Sequence, residues 1–382
     1  MSSGDFVRSM QGTASSFQPA ASHLQRMHID PILLLSLMSV CGFGLMVLWS
    51  ASGQHQATML RQCSFILAGF IAMLTVAQFD MRLIRRWSVL LYLMGIGLLV
   101  AVIFYGSGAK GATRWIDLPG LPRFQPSEIM KVALPLTVAA YLSGRSMPPK
   151  IFQVLVSVVL IIIPTLLIGA QPDLGTSLLV AVSGVFVLYF AGLSWYYVSA
   201  VFVGAGVSSP LIWNYVLHDY QKQRILTLLD PEADKLGAGW NIIQSKTAIG
   251  SGGWQGKGWL NGTQSQLDFL PESHTDFIIA VLAEELGLFG VLVLIGLYLL
   301  VIGRGVIIGL RAQDAFSRLV VGSITLTFFV YAFVNMGMVS GLLPVVGVPL
   351  PFVSQGGTSI VTLLAGFGLL MAVSTEAKRI TR

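Results

Sequence analysis

Charged side chains are scarce in this chain of 382 residues, of which only 10% are Asp, Glu, Lys or Arg. Soluble domains carry about 25% charged residues, so this deficit excludes an ordinary soluble globular protein. In their place, 54% of the residues are hydrophobic, and many of them form long runs. The composition therefore predicts an integral membrane protein with several spanning helices.

Cysteine is nearly absent, since only Cys41 and Cys63 occur, in or beside apolar runs. They form neither a disulfide framework nor a metal spacing, so we interpret both as packing residues. A Walker A loop and an internal repeat are also missing, and the second absence weakens an interpretation as a secondary transporter. Lys and Arg exceed Asp and Glu by 23 to 17. In a membrane chain the positions of these charges matter more than their sum, and no nucleic-acid partner is predicted.

Ten apolar runs have about the 20 residues that a helix needs to cross a bilayer. They cover residues 31–50, 62–79, 87–105, 126–143, 151–169, 174–192, 195–217, 277–302, 319–341 and 355–374. The sequence thus predicts an all-α polytopic membrane protein with about ten transmembrane helices in one domain, residues 29–375. The polar segment 1–28 is predicted to be a disordered cytoplasmic N-terminus, and 376–382 a short basic tail.

Lys and Arg are unevenly divided between the two sides of the predicted bundle. Thirteen lie in the segments that share a side with both termini, and four lie in the short loops of the opposite side. Because cytoplasmic loops carry the excess of basic residues, both termini are predicted to be cytoplasmic. The large loop 218–276, between the seventh and eighth helices, then faces the periplasm, as do the loops 106–125 and 342–354.

The fourth run opens with an unusual concentration of charge for a membrane segment. Glu128 and Lys131 are three residues apart and therefore share one helix face. They form either a structural ion pair or part of an outward-facing cavity. Arg114, Trp115 and Arg123 precede this helix start, a combination that suits a phosphate group. The alternative is that the arginines only reach toward lipid headgroups.

Further carboxylates lie at the same predicted membrane boundary. Asp173 in the segment QPDLGTS is interpreted as a cap or structural support of the sixth helix. Asp276 begins the eighth helix, and Glu284 lies about 12 Å deeper on a continuous helix. Glu284 and Glu285 would point away from Asp276, so both are interpreted as structural support. His274 is open to interpretation as a base, a ligand or a cap, and a lone His is weak evidence for a metal.

Several long segments, in this order, resemble the SEDS family of shape, elongation, division and sporulation proteins. They are GATRWIDL (111–118), RFQPSEIMK (123–131), QPDLGTS (171–177), the loop 230–277, AEELG (283–287) and LPVVGVPLPFVSQGG (343–357). The resemblance runs from about residue 28 to the C-terminus, and the tract ending in LPESHTDF is nearest to the RodA, or elongation, branch. Two departures are Gln355, where many relatives carry Tyr, and Asp268, where many carry Glu.

This resemblance implies a peptidoglycan glycosyltransferase that polymerises lipid II at the outer face of the bacterial inner membrane during cell elongation. It also implies that Asp276, in the HTDF motif, is the catalytic aspartate. The expected substrate-binding residues are Arg114, Trp115, Arg123, Gln125, Glu128, Lys131, Lys246, Ser273 and His274. The expected partners are a cognate class B penicillin-binding protein and other membrane proteins of the elongation complex.

Glycan polymerisation from lipid II needs a sugar 4-hydroxyl to attack an anomeric carbon while a diphosphate leaves. Glycoside hydrolases need an acid because their leaving group is poor, whereas a diphosphate leaves readily. One general base, Asp276, and cations around the diphosphate are therefore expected to suffice. No cofactor is assigned with certainty, and a divalent cation, magnesium or manganese, is left open. Two alternatives remain, namely a lipid II flippase and a non-catalytic scaffold of the elongation complex.

Overall fold

The computed structural model describes residues 28–109, 112–116, 123–217, 219–234, 237–266 and 272–376. The predicted disorder of the N-terminal segment, apart from its last residue, and most of the predicted basic tail lie outside these described residues. Asp268 and the centre of the loop 106–125 also lie outside them. The described part of the chain is dominated by α-helices.

The chain order of the elements is as follows. The helices are α1 Pro31–Ala51, α2 Gln56–Ala77, α3 Met81–Tyr105, α4 Ser127–Ser143, α5 Ile151–Gly169, α6 Leu174–Phe190, α7 Trp195–Val207, α8 Ser209–Leu211, α9 Asp219–Leu229, α10 Ala238–Gly252, α11 Thr263–Gln266, α12 Ile278–Arg311, α13 Ala315–Val339 and α14 Gly357–Thr375. A π-helical turn covers Ile212–Val216 and a 3₁₀ turn covers Pro231–Asp234. Between α3 and α4, β1 Ser107–Ala109 pairs antiparallel with β2 Ala112–Trp115.

Seven helices, α1, α2, α3, α5, α12, α13 and α14, are long and apolar enough to cross a membrane. The shorter apolar helix α6 adds an eighth segment. Helices α4 and α7 occupy the two remaining predicted runs. These findings confirm the prediction of an all-α polytopic membrane protein. The orientation of the termini stays a prediction.

Several helix ends differ from the apolar runs. Helix α3 begins at Met81, six residues before the predicted start, because the Asp80 carboxylate caps it by accepting a hydrogen bond from the Arg82 amide. Helix α12 continues to Arg311, nine residues beyond the predicted end at 302. The predicted helix 195–217 is interrupted at Ser208 and continues only as short turns. Hydropathy does not report such ends, since polar residues can extend a helix beyond the apolar run.

Helix α12 is broken at Gly287, which the sequence analysis did not predict. Its φ of 65° and ψ of −164° are non-helical and belong to a region that only glycine adopts readily. The glycine-rich segment 253–258 pairs with the opened backbone. The amides of Lys257 and Gly258 donate to the carbonyls of Glu284 and Glu285 at 3.0 and 2.9 Å. The segment 253–258 of the large loop is therefore hydrogen-bonded into the broken helix.

The loop between α13 and α14 lies inside the helix bundle. We call residues 344–356 the buried loop, since Leu350 and Phe352 are almost completely buried there. The ring of Phe352 lies 5.6 Å from that of Phe328 in α13 and 5.9 Å from that of Phe367 in α14, between ring centroids. Aromatic contacts of this kind hold the loop against two helices. The loop is thus fixed beside the turn that carries Asp276.

Candidate active site

A cavity of about 420 Å³ opens among α2, α4, α6, α13, α14, the buried loop and the turn before α12. Its polar lining residues, among those that the structure describes, are Arg61, Gln62, Arg114, Trp115, Arg123, Gln125, Glu128, Lys131, Asp173, Thr176, Thr275, Asp276, Tyr331, Gln355, Thr358 and Ser359. Four of these are cations and three are carboxylates. An excess of cations in a partly enclosed cavity favours an anionic ligand.

Most of the predicted site residues come together in this cavity. The structure places Arg114, Trp115, Arg123, Gln125, Glu128, Lys131, Asp173 and Asp276 in its lining, and also Gln355. These residues belong to four segments that are far apart in the sequence. A ligand that filled this cavity would therefore meet side chains from all four segments.

Three other predicted residues lie outside that lining. Lys246 is an exposed residue of α10 that lies against Gly341, after the end of α13. Ser273 is buried, and its hydroxyl donates to the carbonyl of Ala51 at 3.3 Å. His274 is partly buried in the turn before Asp276. A part for these three residues in substrate binding stays a prediction.

Asp276 lies in the turn before α12, and a side chain of α13 holds its backbone. The Asn335 side-chain amide donates to the carbonyl of Asp276 at 2.8 Å and to that of Val348 at 2.7 Å. Asn335 is fully buried, and leaving a buried partner unsatisfied costs about 1–3 kcal/mol. A Cβ added at Gly347 would lie 3.6 Å from an Asp276 carboxylate oxygen. The carboxylate therefore lies beside the buried loop, and α13 fixes its backbone.

A second set of hydrogen bonds ties the same turn to the buried loop and to α2. The Ser354 hydroxyl donates to the carbonyl of Thr275 at 2.6 Å. The backbone amide of Gln355 donates to the carbonyl of His274 at 3.0 Å. The Gln62 side-chain amide donates to the carbonyl of Ser354 at 3.0 Å. The turn, the buried loop and the start of α2 therefore form one hydrogen-bonded unit around Asp276.

Glu128 and Lys131 form an ion pair in the cavity wall. The Lys131 ammonium lies 2.6 Å from a Glu128 carboxylate oxygen, and both side chains are buried. The other carboxylate oxygen accepts a hydrogen bond from Thr362 of α14 at 3.1 Å. Lys131 also lies 4.9 Å from the ring centroid of Tyr331, within cation–π range. The pair thus joins three helices and also faces the cavity.

Asp173 connects the start of α6 to two predicted ligand-binding residues. Its carboxylate accepts hydrogen bonds from the Thr176 amide at 3.2 Å and from the Gln125 side chain at 2.8 Å. It also pairs with the Arg114 guanidinium at 3.7 Å. The same guanidinium donates to the carbonyl of Pro172 at 2.5 Å. Asp173 therefore caps α6 and at the same time holds Gln125 and Arg114 at the cavity wall.

The cavity also contains residues that the sequence analysis did not single out as site residues. Arg61 is exposed near the start of α2, with its guanidinium 5.8 Å from the ring centroid of Phe65. Gln62 and Tyr331 line the cavity, and Asn335 supports it from outside the lining. Gln62 and Asn335 could have been found from the sequence, because each is a polar residue within a predicted membrane-spanning run, where polar residues are often functional.

Glu284 and Glu285 lie outside the described lining and bind to neighbouring segments. The Glu284 carboxylate accepts hydrogen bonds from the Lys257 ammonium at 2.7 Å and from the Thr263 amide at 2.9 Å. The Glu285 carboxylate accepts one from the Ser50 hydroxyl of α1 at 2.5 Å. Both are buried just before the break in α12. They connect α12 to the part of the large loop that carries Lys257 and Thr263, and to α1.

The carboxylates of the cavity lining that could serve as metal ligands are Glu128, Asp173 and Asp276. Within the described ranges, no group of three or more His, Cys, Asp and Glu side chains is placed to hold one. Glu128 is engaged by Lys131, and Asp173 by Arg114 and Gln125. The described residues alone therefore do not form a resident metal site. Mg²⁺ commonly binds instead through one or two carboxylates together with substrate phosphates.

Comparisons with known proteins identify the family to which the chain is similar. The family described as Cell cycle protein, which comprises FtsW, RodA and SpoVE, matches residues 31–379. The peptidoglycan glycosyltransferase MrdB of Escherichia coli (strain K12) is 53% identical over 94% of this chain and 96% of its own length. The probable peptidoglycan glycosyltransferase FtsW of Trichlorobacter lovleyi is 38% identical over 91% of this chain and 94% of its own.

Two solved structures share the fold. A chain from a structure described as "Structural coordination of polymerization and crosslinking by a peptidoglycan synthase complex" has a TM-score of 0.80 and 29% identity, and covers 90% of this chain and 97% of that chain. The rod shape determining protein RodA of Thermus thermophilus has a TM-score of 0.69 and 27% identity, over 90% of this chain and 96% of that chain.

Proposed function

Because the chain belongs to the family of FtsW, RodA and SpoVE and is a peptidoglycan glycosyltransferase, we propose that it polymerises lipid II at the outer face of the bacterial inner membrane. The observation that carries this proposal is the cavity in which Asp276 lies together with four cations. The chain is 53% identical to MrdB but only 38% identical to the FtsW relative. This difference supports the assignment of the chain to the elongation branch of the family and not to the FtsW branch. The side of the membrane follows from the distribution of Lys and Arg.

Asp276 is the general base in this proposal. Its carboxylate takes the proton of the sugar 4-hydroxyl as that oxygen forms a bond to the anomeric carbon of the second lipid II molecule. The bond from that carbon to the diphosphate oxygen breaks, and undecaprenyl diphosphate leaves with the electron pair. A base within hydrogen-bond reach of the attacking hydroxyl is required. The hydrogen bonds that Asn335 and Ser354 donate to the carbonyls of Asp276 and Thr275 support this role, because they fix the backbone around the carboxylate.

The leaving diphosphate is held by the cations of the cavity. Arg114, Arg123 and Lys131 were predicted for this role, and Arg61 joins them at the same cavity. Guanidinium groups match phosphate oxygens in bidentate hydrogen bonds, and fixed cations stabilise the charge that develops on the leaving group. A magnesium or manganese ion would assist these cations in neutralising the diphosphate. Chelation by EDTA followed by re-addition of each metal tests that contribution separately.

Replacement of Asp276 by Asn tests the base assignment. Polymer is measured by gel electrophoresis after incubation of the purified protein with purified lipid II. The control is Glu272→Gln, since Glu272 lies in the same turn but bonds to the Thr275 hydroxyl at 2.7 Å. We expect loss of polymer for Asp276→Asn and retained polymer for Glu272→Gln. A folded Asp276→Asn variant with wild-type polymerisation would contradict the assignment.

The same preparations separate the alternative functions. A flippase would move labelled lipid II across liposomes without forming polymer. A non-catalytic scaffold would leave polymer formation by its complex normal after the Asp276 carboxylate is lost. Polymer formation by the purified chain, abolished in Asp276→Asn, excludes both alternatives as its main activity.

We further propose that the chain works with a class B penicillin-binding protein and with other membrane proteins of the elongation complex. The similarity to a chain from a peptidoglycan synthase complex supports a partner of this kind. Co-purification of the full-length chain with its cognate transpeptidase from membranes tests the proposal. Faster polymerisation by the pair than by the chain alone is the expected result.

A further inference from the structure

A second cavity lies between α3, α4 and α5, away from the candidate active site. Its volume is about 610 Å³, larger than the 420 Å³ of the first cavity. Three arginines line it, namely Arg82, Arg85 and Arg86, all in the first two turns of α3. We call this cavity the basic groove.

One face of α3 is divided into a charged part and an apolar part. Arg82, Arg85, Val89 and Leu93 follow one another at intervals of three or four residues, so they share that face. Val89 and Leu93 are 53% and 59% exposed and lie within the candidate membrane-spanning length of α3. An arginine turn followed by two apolar turns matches a phosphate headgroup followed by an acyl chain.

The walls opposite α3 are apolar except for Thr137 and Tyr141 of α4. Ala140 of α4 and Val156 and Leu160 of α5 line the groove. The Tyr92 hydroxyl donates to the carbonyl of Leu160 at 2.9 Å, so α3 and α5 are bonded to each other at that level. Tyr92 lies seven residues beyond Arg85, a rise of about 10 Å along the helix. The groove is therefore deep enough for part of an acyl chain.

Within the described ranges, no carboxylate forms an ion pair with the arginines of the groove, Arg82, Arg85 and Arg86. The carboxylate of Asp80 lies next to this turn and accepts a hydrogen bond from the Arg82 backbone amide. The Arg85 guanidinium also lies near Gly144, at the C-terminal end of α4. An anion is the complementary ligand for this site.

We propose that the basic groove binds an anionic diacyl phospholipid of the cytoplasmic leaflet, with its phosphate at the three arginines and one acyl chain along Val89 and Leu93. Basic pockets between membrane helices on the cytoplasmic side recognise anionic headgroups. The leaflet follows from the predicted orientation of the chain. The site is separate from the lipid II cavity, so the proposal does not depend on the glycosyltransferase mechanism.

Paired charge variants test the headgroup contact. Binding of phosphatidylglycerol and of phosphatidylcholine to the delipidated full-length chain is measured by native mass spectrometry. We expect Arg85→Gln with Arg86→Gln to lower the affinity for phosphatidylglycerol on the order of 25-fold, since each basic residue contributes about a factor of five. The matched control is Arg311→Gln with Arg318→Gln, which removes the same charge elsewhere. The control should keep the wild-type preference.

A second pair of variants tests the acyl-chain contact. Val89→Trp fills the groove without changing its charge, whereas Leu90→Trp places the same ring on a neighbouring position that is 55% exposed and outside the lining. We expect Val89→Trp to lose most of the retained phosphatidylglycerol and Leu90→Trp to keep it. Polymer formation from lipid II should persist in all four variants, which shows that they are folded.

Two outcomes would overturn the proposal. The first is an equal loss of binding in the Arg311 and Arg318 control, which would show general attraction between lipid and a basic surface. The second is unchanged lipid binding in Val89→Trp, together with loss of a co-purified membrane protein. That result would assign the groove to a partner's transmembrane helix.

Discussion

The side-chain amide of Asn335 donates a 2.8 Å hydrogen bond to the carbonyl of Asp276, 59 residues away in the sequence. The same amide also holds Val348 of the buried loop at 2.7 Å. Asn335 itself is outside the described lining of the cavity. Its expected part is to position the base, and not to contact the reacting atoms.

Replacement of Asn335 by Ala should therefore reduce the polymerisation rate more than it reduces lipid II binding. A displacement of about 1 Å at the base can cost up to about 100-fold in rate. The measurements are the initial rate of polymer formation and the lipid II concentration at half-maximal rate. Ser323→Ala is the matched control, because it removes a buried 2.6 Å hydrogen bond to the carbonyl of Ser183. Equal rates in the two variants would show that Asn335 is only structural.

The buried pair of Glu128 and Lys131 predicts a stability effect that a second substitution reverses. Lys131→Met leaves Glu128 as an uncompensated buried charge, which costs about 3–5 kcal/mol. The double variant Glu128→Gln with Lys131→Met removes both charges and should recover much of the lost thermal stability. Its polymerisation should stay low, because the cavity has lost a cation. If the double variant recovered polymerisation as well as thermal stability, the ion pair would have only a structural role.

Gly287 should not tolerate a side chain. Its backbone conformation is restricted to glycine, and an added Cβ would lie 2.4 Å from the amide nitrogen of Gly256. We expect Gly287→Ala to reduce the yield and melting temperature of the protein strongly. Gly296→Ala, in the same helix with nothing within 4 Å of the added atom, should be neutral or slightly stabilising. Equal stability of the two variants would contradict the structural role of the break.

Arg61 should contribute to binding of the lipid II diphosphate. It lines the cavity with an exposed side chain, and a hydrogen bond to a charged group is worth about 1.5–3 kcal/mol. Arg61→Gln should raise the lipid II concentration at half-maximal rate by at least about tenfold. Arg318→Gln removes the same charge far from the cavity and should leave this value unchanged. An unchanged value for Arg61→Gln would place the diphosphate elsewhere.

The sequence predicted the residues of the site better than it predicted their support. Arg114, Arg123 and Asp276 stand in polar segments at the ends of apolar runs, where a charge is conspicuous. Asn335 lies inside an apolar run, and its two hydrogen-bond partners are known only once α13 packs against the buried loop. Tertiary contacts of this kind leave no periodic pattern in a single sequence.

The break in α12 and the start of α3 are local backbone features that the sequence analysis did not predict. The chain contains 41 glycines, and nothing in the composition distinguishes Gly287 from Gly296 within the same apolar run. Gly287 differs from Gly296 only in the folded structure, where the segment 253–258 pairs with α12. The amides of that segment bond to carbonyls of α12 that the break in the helix leaves open. In the same way, the early start of α3 depended on the cap provided by Asp80.

The pairing of the segment 253–258 with the broken helix limits how parts of this protein can be exchanged with those of its relatives. A large loop joined to an α12 that lacks the break at Gly287 would leave several main-chain groups on both sides without acceptors or donors. A functional chimera therefore needs the whole stretch 253–289 from one parent. Recombination points are better placed in α10 before the glycine-rich segment and in α12 beyond Phe289.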